Sequence, residues 1–327
     1  MSLPLFGLDH WVLNLLFFTL MYAALASSWN LVGGFAGYPS LGHAAFFGVG
    51  AYSVALLFQH RQVTSGYEPF YWLPLVGLLA AAIGIPVAFI AMRTRSDVFA
   101  IVTITLLFVA QTLATNLRSW TGGSQGKSLP VPPFGLDHFE WPFYYAMLVL
   151  LLVAMLLTFG ATRSKVGLSL QAVAADEDKA RGIGVRVTGI KVVAFAVSVG
   201  LAAMAGGVWA YYQGFIYPRY AFDPLLTIGM VLMVFLGGRA TLWGPVLGAL
   251  ILVPAQQYLA YQLGGNQFYL IAYAGVFLLI MLLMPRGIVP TVADRLRVSR
   301  LARDGAAGGA GPAAALKLSE KVRGVAI

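Results

Sequence analysis

The sequence predicts an all-α, polytopic helical membrane protein with about eight to nine membrane segments, some of them broken or re-entrant. Of its 327 residues, 59% are hydrophobic and only 10% are charged. The mean hydropathy is +0.81. The apolar runs are long enough for helices that cross a hydrocarbon layer, and they lack the alternation of residues that barrel strands show.

The apolar runs predict the membrane segments in chain order. They lie near residues 11–32, 40–58, 71–92, 98–115, 142–162, 192–212, 225–237, 243–262 and 268–284. The two runs between 225 and 262 fit either two spans or one span and a re-entrant piece. No Lys or Arg precedes the first run, so we expect it to remain as a span and not to act as a secretory signal peptide.

The positions of Lys and Arg predict the orientation. Basic residues follow the third and fifth runs (Arg93, Arg163), separate the seventh from the eighth (Arg239) and follow the ninth (Arg295). Alternating spans put these four places on one side, which the positive-inside rule assigns to the cytoplasm. We therefore expect the N-terminus on the outer side of the membrane and the C-terminus in the cytoplasm. This distribution of the +9 net charge fits anionic lipid and predicts no nucleic-acid partner.

Two regions are expected. Residues 1–290 form the transmembrane domain, with a charged internal loop at 163–191, and residues 291–327 form a cytoplasmic tail rich in Gly, Ala and basic residues.

Several kinds of chemistry are excluded by the residues present. The chain has no cysteine, and it shows no paired carboxylates, metal-ligand set or nucleophile with a base. Residues 121–128, TGGSQGKS, resemble a phosphate-binding loop, but Thr121 replaces its first glycine and LPVPP follows where a helix should start. We expect a structured external loop there. The sequence therefore predicts no catalytic residues, no metal and no cofactor.

Two segments predict broken helices, one in each half of the chain. They are NLVGGFAGYPSLGHAAFFGVGAY (30–52), in which Gly33, Gly34, Gly37, Pro39 and Gly42 interrupt a helix, and GGRATLWGPVLGA (237–249). Small residues permit close helix packing, whereas irregular backbone inside a membrane also fits a pathway between two halves. The polar residues within spans, Asn30, Ser40, His43 and Gln111, are the candidate pathway residues, although each could simply bond a neighbouring helix.

The internal loop concentrates charge that the rest of the chain lacks. GLSLQAVAADEDKAR (167–181) predicts a helix that ends at Gly182 or Gly184, with Arg181 favourable in its last turn. Leu170, Val173 and Ala174 share a face. Such a helix could lie on lipid or fill a groove on a cytoplasmic partner. The acidic residues 176–178 favour a partner, because a helix on anionic lipid should be basic throughout.

Four pieces of the chain carry a resemblance to a known family. WNLVGGFAGYPSLGHAAFFGVGAY (29–52), TGGSQG (121–126), residues 167–206 and VFLGGRATLWGPVLGA (234–249) resemble the LivM-type permease subunits of branched-chain amino acid ABC importers. The resemblance implies that the internal loop is a coupling helix that docks on an ATPase subunit. It places the coupling motif at Ala174, Asp176, Glu177, Ala180 and Gly184, to which we add Arg181.

The resemblance also implies that residues 1–290 are a permease domain in the bacterial inner membrane, with a periplasmic N-terminus, and it implies partners and a function. The expected partners are a LivH-type permease as heterodimer, two ATP-binding-cassette subunits that bind the ATP, and an external solute-binding protein. The expected function is import of branched-chain or related amino acids, or other small solutes, by alternating access. The alternative is a self-contained channel or secondary carrier for a small solute, such as urea, an amide or an organic acid, without coupling to ATP.

Overall fold

The computed structural model describes residues 10–61, 66–94, 96–135, 139–263 and 287–292, together with residues 274, 275, 278 and 282. Within these ranges the chain is mainly helical, which confirms the predicted class. The long helices are α1 (His10–Trp29), α2 (His43–Arg61), α3 (Glu68–Ala91), α4 (Ser96–Asn116), α6 (Trp141–Arg163), α9 (Val187–Gln213), α11 (Pro224–Gly237) and α12 (Gly244–Leu263). The short elements are α5 (Arg118–Thr121), β1 (Lys127–Ser128), α7 (Lys165–Ala175), α8 (Glu177–Gly182), β2 (Phe215–Ile216) and α10 (Pro218–Ala221).

Six stretches of the described chain are long and apolar enough to cross a membrane. They are His10–Phe35, Glu68–Ala91, Ser96–Asn116, Trp141–Arg163, Val187–Gln213 and Pro218–Gly237, and residues His43–Gln59 of α2 form a shorter apolar helix. The predicted runs at 225–237 and 243–262 are separate helices, α11 and α12. The predicted segment at 268–284 and the tail from 293 lie outside the described residues, apart from isolated positions. The predicted count of eight to nine segments therefore stays a prediction.

Helix α9 is the centre of the bundle because small residues let its neighbours approach to backbone contact. In its most apolar stretch 83% of the residues are buried, compared with 22% in α4. A Cβ atom on Gly206 would lie 2.0 Å from the carbonyl oxygen of Phe47 on α2, and one on Gly50 would lie 1.9 Å from that of Ala203. The predicted small-residue face of α2 is therefore a close-packing surface against α9.

The first broken helix breaks later than its glycines predict. Helix α1 continues as a π-helical segment, Asn30–Phe35, which contains Gly33 and Gly34. The Trp29 side chain lies over Gly33, where a Cβ atom would sit 2.1 Å from the indole ring. Non-helical chain follows only from 36 to 42, where Gly37 has a φ of +73°. Gly33 and Gly34 serve side-chain packing within the helix instead of ending it.

The second broken helix lies against the first. Residues 238–243 separate α11 from α12, as predicted. The Asn30 side chain joins the two breaks, because its Oδ1 accepts the Ala240 N–H at 3.0 Å and its Nδ2 donates to the Thr241 carbonyl at 2.9 Å. The Ala44 N–H at the start of α2 donates to Thr227 Oγ1 on α11 at 3.0 Å. The breaks in the two halves of the chain thus form one connected region.

The glycine-rich loop at 121–128 has a defined structure that lacks the helix which follows a phosphate-binding loop. Three of its glycines, Gly122, Gly123 and Gly126, have positive φ. Lys127 and Ser128 form β1, which pairs antiparallel with β2, and no helix follows in 129–135. The Lys127 ammonium donates to the Trp120 carbonyl at 2.9 Å and to the Gln59 side chain. The prediction of a structured loop is confirmed.

Three of the four predicted basic connections, those with Arg93, Arg163 and Arg239, meet at one end of the bundle, and the fourth, with Arg295, lies outside the described residues. Lys191 at the start of α9 bonds the carbonyl of Met92 in the α3–α4 turn at 3.0 Å. A Cβ atom on Gly37 would lie 3.2 Å from the Ala174 side chain in α7. The α11–α12 connection, with Arg239, is bonded to Asn30 at the start of the π-helical segment, which leads to Gly37. Assignment of this end to the cytoplasm stays a prediction.

Candidate functional site

The charged loop forms two helices where the sequence predicted one. Helix α7 ends at Ala175, and Asp176 is extended, with φ −165° and ψ 111°. Its carboxylate accepts the Lys179 N–H at 3.0 Å and so caps α8. Aspartate is favoured at an N-cap because its oxygen satisfies an amide that the helix leaves free. The prediction of a continuous helix over 167–181 is therefore wrong at Asp176.

The end of α8 follows the glycine signal. Gly184 has a φ of +88°, a conformation that L side chains rarely adopt. The Val185 N–H donates to the Ala180 carbonyl at 3.1 Å, and the Gly184 N–H donates to the Arg181 carbonyl at 3.1 Å. This pair of bonds is a Schellman motif, which satisfies carbonyls that the helix end leaves unpaired. Of the two predicted stops, Gly184 is the one used.

Glu177 turns inward and pairs with a buried lysine. The Lys191 side chain is fully buried, and its ammonium lies 3.1 Å from Glu177 Oε2 and 3.2 Å from Oε1. It also donates to the Met92 carbonyl and lies 4.0 Å from the centre of the Tyr38 ring. The Tyr38 hydroxyl donates to Glu177 as well. These four residues, Glu177, Lys191, Tyr38 and Met92, are called the lysine junction below.

The lysine junction connects four parts of the fold. Glu177 belongs to α8, Lys191 to α9, Met92 to the α3–α4 turn, and Tyr38 to the chain between α1 and α2. Burial of the Glu177 carboxyl raises its pKa, but hydrogen bonds from Tyr38 and Lys191 together with the positive charges of Lys191 and Arg181 outweigh this, so its pKa is below the usual value. The carboxylate is thus ionised as the partner of a buried cation, which such a cation requires. Displacement of α8 would pull on the central helix and on the first helix break.

Lys191 is the functional candidate that the sequence reasoning missed. The predicted span began at 192, which left the lysine in the loop, whereas α9 begins at Val187. A lone lysine in the apolar run IKVVAFAV was the available signal, because a buried cation needs a partner in the fold.

The opposite face of the loop points away from the bundle. Ala174, Arg181 and Gly184 are exposed, and Ile183 is 78% exposed. Asp176 is half-buried as a cap, and Ala180 is buried among apolar neighbours. Leu170 and Val173 are buried on the face predicted for them, while Ala174 is at its edge. The six candidate coupling residues therefore divide into an exposed set, Ala174, Arg181 and Gly184, and an inward set, Asp176, Glu177 and Ala180.

The four candidate pathway residues are held by hydrogen bonds within the fold. Asn30 bonds the α11–α12 connection, and the His43 Nε2 atom lies 2.7 Å from Ser198 Oγ on α9. The Ser40 carbonyl accepts the Trp29 indole N–H at 2.7 Å. Gln111 Nε2 donates to the Phe222 carbonyl at 3.3 Å. Asn30, Ser40 and His43 are buried, and the structure brings no two of the four into direct hydrogen-bond contact within the described residues.

Replacing Asn30 with leucine is expected to lower stability, because the Ala240 N–H and Thr241 carbonyl would lose their shared partner. An unsatisfied buried polar group costs roughly 1–3 kcal/mol, and these two groups are partly buried, so we expect a lower melting temperature of the purified protein. The measurement is thermal unfolding in detergent. Asn116→Leu is the matched control, since exposed Asn116 bonds only the Thr112 carbonyl of its own helix. Equal melting temperatures for the two variants would contradict the assignment.

The described residues contain no group of three or more His, Asp or Glu side chains placed to hold a metal ion. The arrangement instead offers a mechanical link between an exposed loop and the interior of a helical bundle.

These features define a multi-pass helical membrane protein with an exposed, structured loop tied to its central helix. The chain belongs to the family described as branched-chain amino acid transport system / permease component, whose pattern matches residues 11–284. The resemblance to LivM-type permeases stated from the sequence is thereby confirmed.

The curated relatives agree with that family. The Salmonella typhimurium protein named high-affinity branched-chain amino acid transport system permease protein LivM is 30% identical over 308 residues, covering 86% of this chain and 70% of the relative. The Escherichia coli protein of the same name is 29% identical over 315 residues, covering 88% and 72%. The autoinducer 2 import system permease protein LsrC of Salmonella paratyphi B is 30% identical over 142 residues, covering 41% and 40%. No solved structure matches the chain.

Proposed function

We propose that this chain is a translocation subunit of an ATP-driven importer in the bacterial inner membrane, and that it carries branched-chain or related amino acids by alternating access. The observation that carries the proposal is the lysine junction. It joins an exposed loop to the central helix α9 and to the first helix break through ionic and hydrogen-bond contacts. A rigid link of this kind would transmit a movement imposed on the loop into the membrane bundle.

ATP would be bound and hydrolysed on partner subunits, and this chain would supply no catalytic group. The exposed set of the loop, with Ile183, would lie in a groove of an ATPase subunit. A large exposed aliphatic side chain on a structured loop favours such a protein contact. The further partners are a LivH-type permease and an external solute-binding protein, which the family resemblance implies.

The amino acid class rests on the relatives' names. Two LivM proteins are named for branched-chain amino acids, whereas LsrC is named for autoinducer 2 and matches only a part of the chain. Because the LivM proteins match most of the chain and LsrC matches only a part of it, an amino acid is the favoured substrate class. A self-contained carrier is the second candidate, and reconstitution distinguishes the two.

The test is uptake of radiolabelled leucine into liposomes. The chain is incorporated with the permease, ATPase and binding-protein subunits of its own system, or alone. We expect uptake only with all subunits and internal ATP. Leucine uptake by the chain alone, unaffected by ATP, would overturn the proposal in favour of a carrier.

Replacing Ile183 with glutamate is expected to weaken docking of the ATPase subunits without unfolding the chain. Ile183 contributes little to the core of the free chain, so burying a new charge in the partner's groove is the main cost. We expect at least about a tenfold loss of copurified ATPase, equivalent to about 1.4 kcal/mol. Val131→Glu is the matched control, because Val131 is 82% exposed on the loop that precedes α6, at the opposite end of the bundle. If the Ile183 variant copurifies as much ATPase as the wild type, the ATPase subunits dock on another surface of the chain.

A further inference from the structure

A cavity of about 570 Å³ opens between α1, α9, α11 and α12, at the end of the bundle opposite the lysine junction. This size is within the range of small-ligand sites in proteins. Its walls are mainly apolar and aromatic, with contributions from Met21, Trp209, Tyr217, Tyr220, Leu226 and Leu232. None of the four candidate pathway residues lines it. Its position near the C-terminal end of α9 and the N-terminal end of α11 places it where the fold turns between two membrane helices.

Besides tyrosines and Ala274, the described lining of this cavity includes two amide side chains and one carboxylate. They are the amides of Gln213 and Gln256 and the carboxylate of Asp223. Asp223 caps α11, with Oδ1 accepting the Leu225 N–H at 2.9 Å. A carboxylate offers about four acceptor positions over its two oxygens, so the cap leaves capacity for a ligand donor.

A second cleft in the structure has apolar walls but, in the described part of the chain, lacks the carboxylate and amide side chains of this cavity. A cleft of about 960 Å³ lies between α3, α6 and residues 133–135, and its lining consists of apolar residues, glycine, tyrosine and tryptophan. Among the described residues, no charged or amide side chain lines that cleft. Its surface suits lipid chains, whereas the cavity with Asp223 combines apolar walls with one anion and two amides.

We propose that the cavity between α1, α9, α11 and α12 is a solute subsite that takes a zwitterionic amino acid with an apolar side chain. The Asp223 carboxylate would accept hydrogen bonds from the ligand's ammonium group, and the faces of the tyrosine and tryptophan rings would add cation–π attraction. Gln213 and Gln256 would donate to its carboxylate. Met21, Leu226 and Leu232 would surround the aliphatic side chain. This inference rests on the proposed function for its biological setting, since it places the substrate of that function.

The test uses the fact that the chain contains no cysteine. Ile228 lines the cavity and is 43% exposed. In the reconstituted assembly without ATP, an Ile228→Cys variant is treated with a membrane-impermeant thiol reagent, and its labelling rate is followed by mass spectrometry of this chain. We expect leucine to slow the labelling by about tenfold at saturation, whereas 4-methylpentanoate, which has the same carbon skeleton without the amino group, should not.

A second substitution identifies the ammonium partner. Adding Asp223→Asn to Ile228→Cys removes the charge but keeps an N-cap, because asparagine caps helices about as well as aspartate. We expect leucine protection to shift to at least about tenfold higher concentration, since a charge-assisted bond is lost. Asp97→Asn, at the start of α4 and at the end of the bundle that carries the lysine junction, is the control and should leave protection unchanged.

The outcomes separate the subsite from the proposed function. No labelling of Ile228→Cys, equal protection by both solutes, or full protection after Asp223→Asn would each overturn the subsite. Leucine protection without ATP-driven uptake would support the subsite and contradict the proposed function. ATP-dependent uptake in the absence of leucine protection would support the proposed function and contradict the subsite.

Discussion

Replacing Glu177 with alanine is expected to abolish leucine uptake while ATP hydrolysis by the assembled transporter continues. The change leaves the fully buried Lys191 ammonium without its carboxylate. Removing one partner of a buried pair costs about 3–5 kcal/mol, which is enough to detach α8 from α9. We expect faster amide hydrogen exchange in residues 177–187 and loss of coupling. The measurements are uptake, ATP turnover and hydrogen exchange on the same preparation.

Substitution of Lys191 tests whether loss of the lysine costs less stability than loss of the Glu177 carboxylate. Lys191→Met should cost less than Glu177→Ala, because Glu177 is partly exposed and can be solvated, whereas Lys191 cannot. The double variant Glu177→Gln with Lys191→Met should be closer to wild type in stability than Glu177→Ala alone, since no buried charge remains. Lys165→Met, an exposed lysine on the same loop, is the control. Leucine uptake that remains coupled to ATP hydrolysis in the Glu177→Ala variant would contradict the role assigned to the lysine junction.

Replacing Gly206 with alanine is expected to disrupt the packing of α2 on α9. The new Cβ atom would lie 2.0 Å from the Phe47 carbonyl oxygen and 2.8 Å from its carbonyl carbon. Both contacts are with backbone, so no rotamer change relieves them. Overpacking typically costs about 1–3 kcal/mol, and we expect this site to reach or exceed the upper limit. The measurements are the yield of monodisperse protein and its melting temperature in detergent.

Gly189→Ala is the matched control on the same helix. No atom lies within 4 Å of a Cβ placed there, and alanine is a better helix former than glycine by up to about 1 kcal/mol. We expect Gly189→Ala to be neutral or slightly stabilising. Equal melting temperatures for the two variants would show that α2 and α9 are less closely packed than the structure has them.

Part of the candidate site was predictable because its signals are local. Gly184 ends α8 for a conformational reason that holds in any context, and the charge of residues 176–178 marks the loop against apolar neighbours. Alanine-rich sequence predicts a continuous helix through Asp176, whereas the bond from the Lys179 N–H to the Asp176 carboxylate starts a second helix there. Asn30 is recognisable in the sequence as a polar residue within a span, but its contact with residues more than 200 positions away has no local signal.

The sequence by itself determined that the chain is a helical membrane protein, because a bilayer requires long apolar helices whatever their packing. It also determined where the charged loop and the second helix break lie and that a first break follows α1, since glycine, proline and charge act within a few residues, although the first break begins only at residue 36, after Gly33 and Gly34. Only the tertiary structure decided that the breaks meet at Asn30 and that Glu177 pairs with Lys191. It also decided that Gln213, Asp223 and Gln256 line one cavity. The physical reason is that such contacts depend on which helices pack together, and in this bundle the packing is set by backbone approach at small residues such as Gly50 and Gly206.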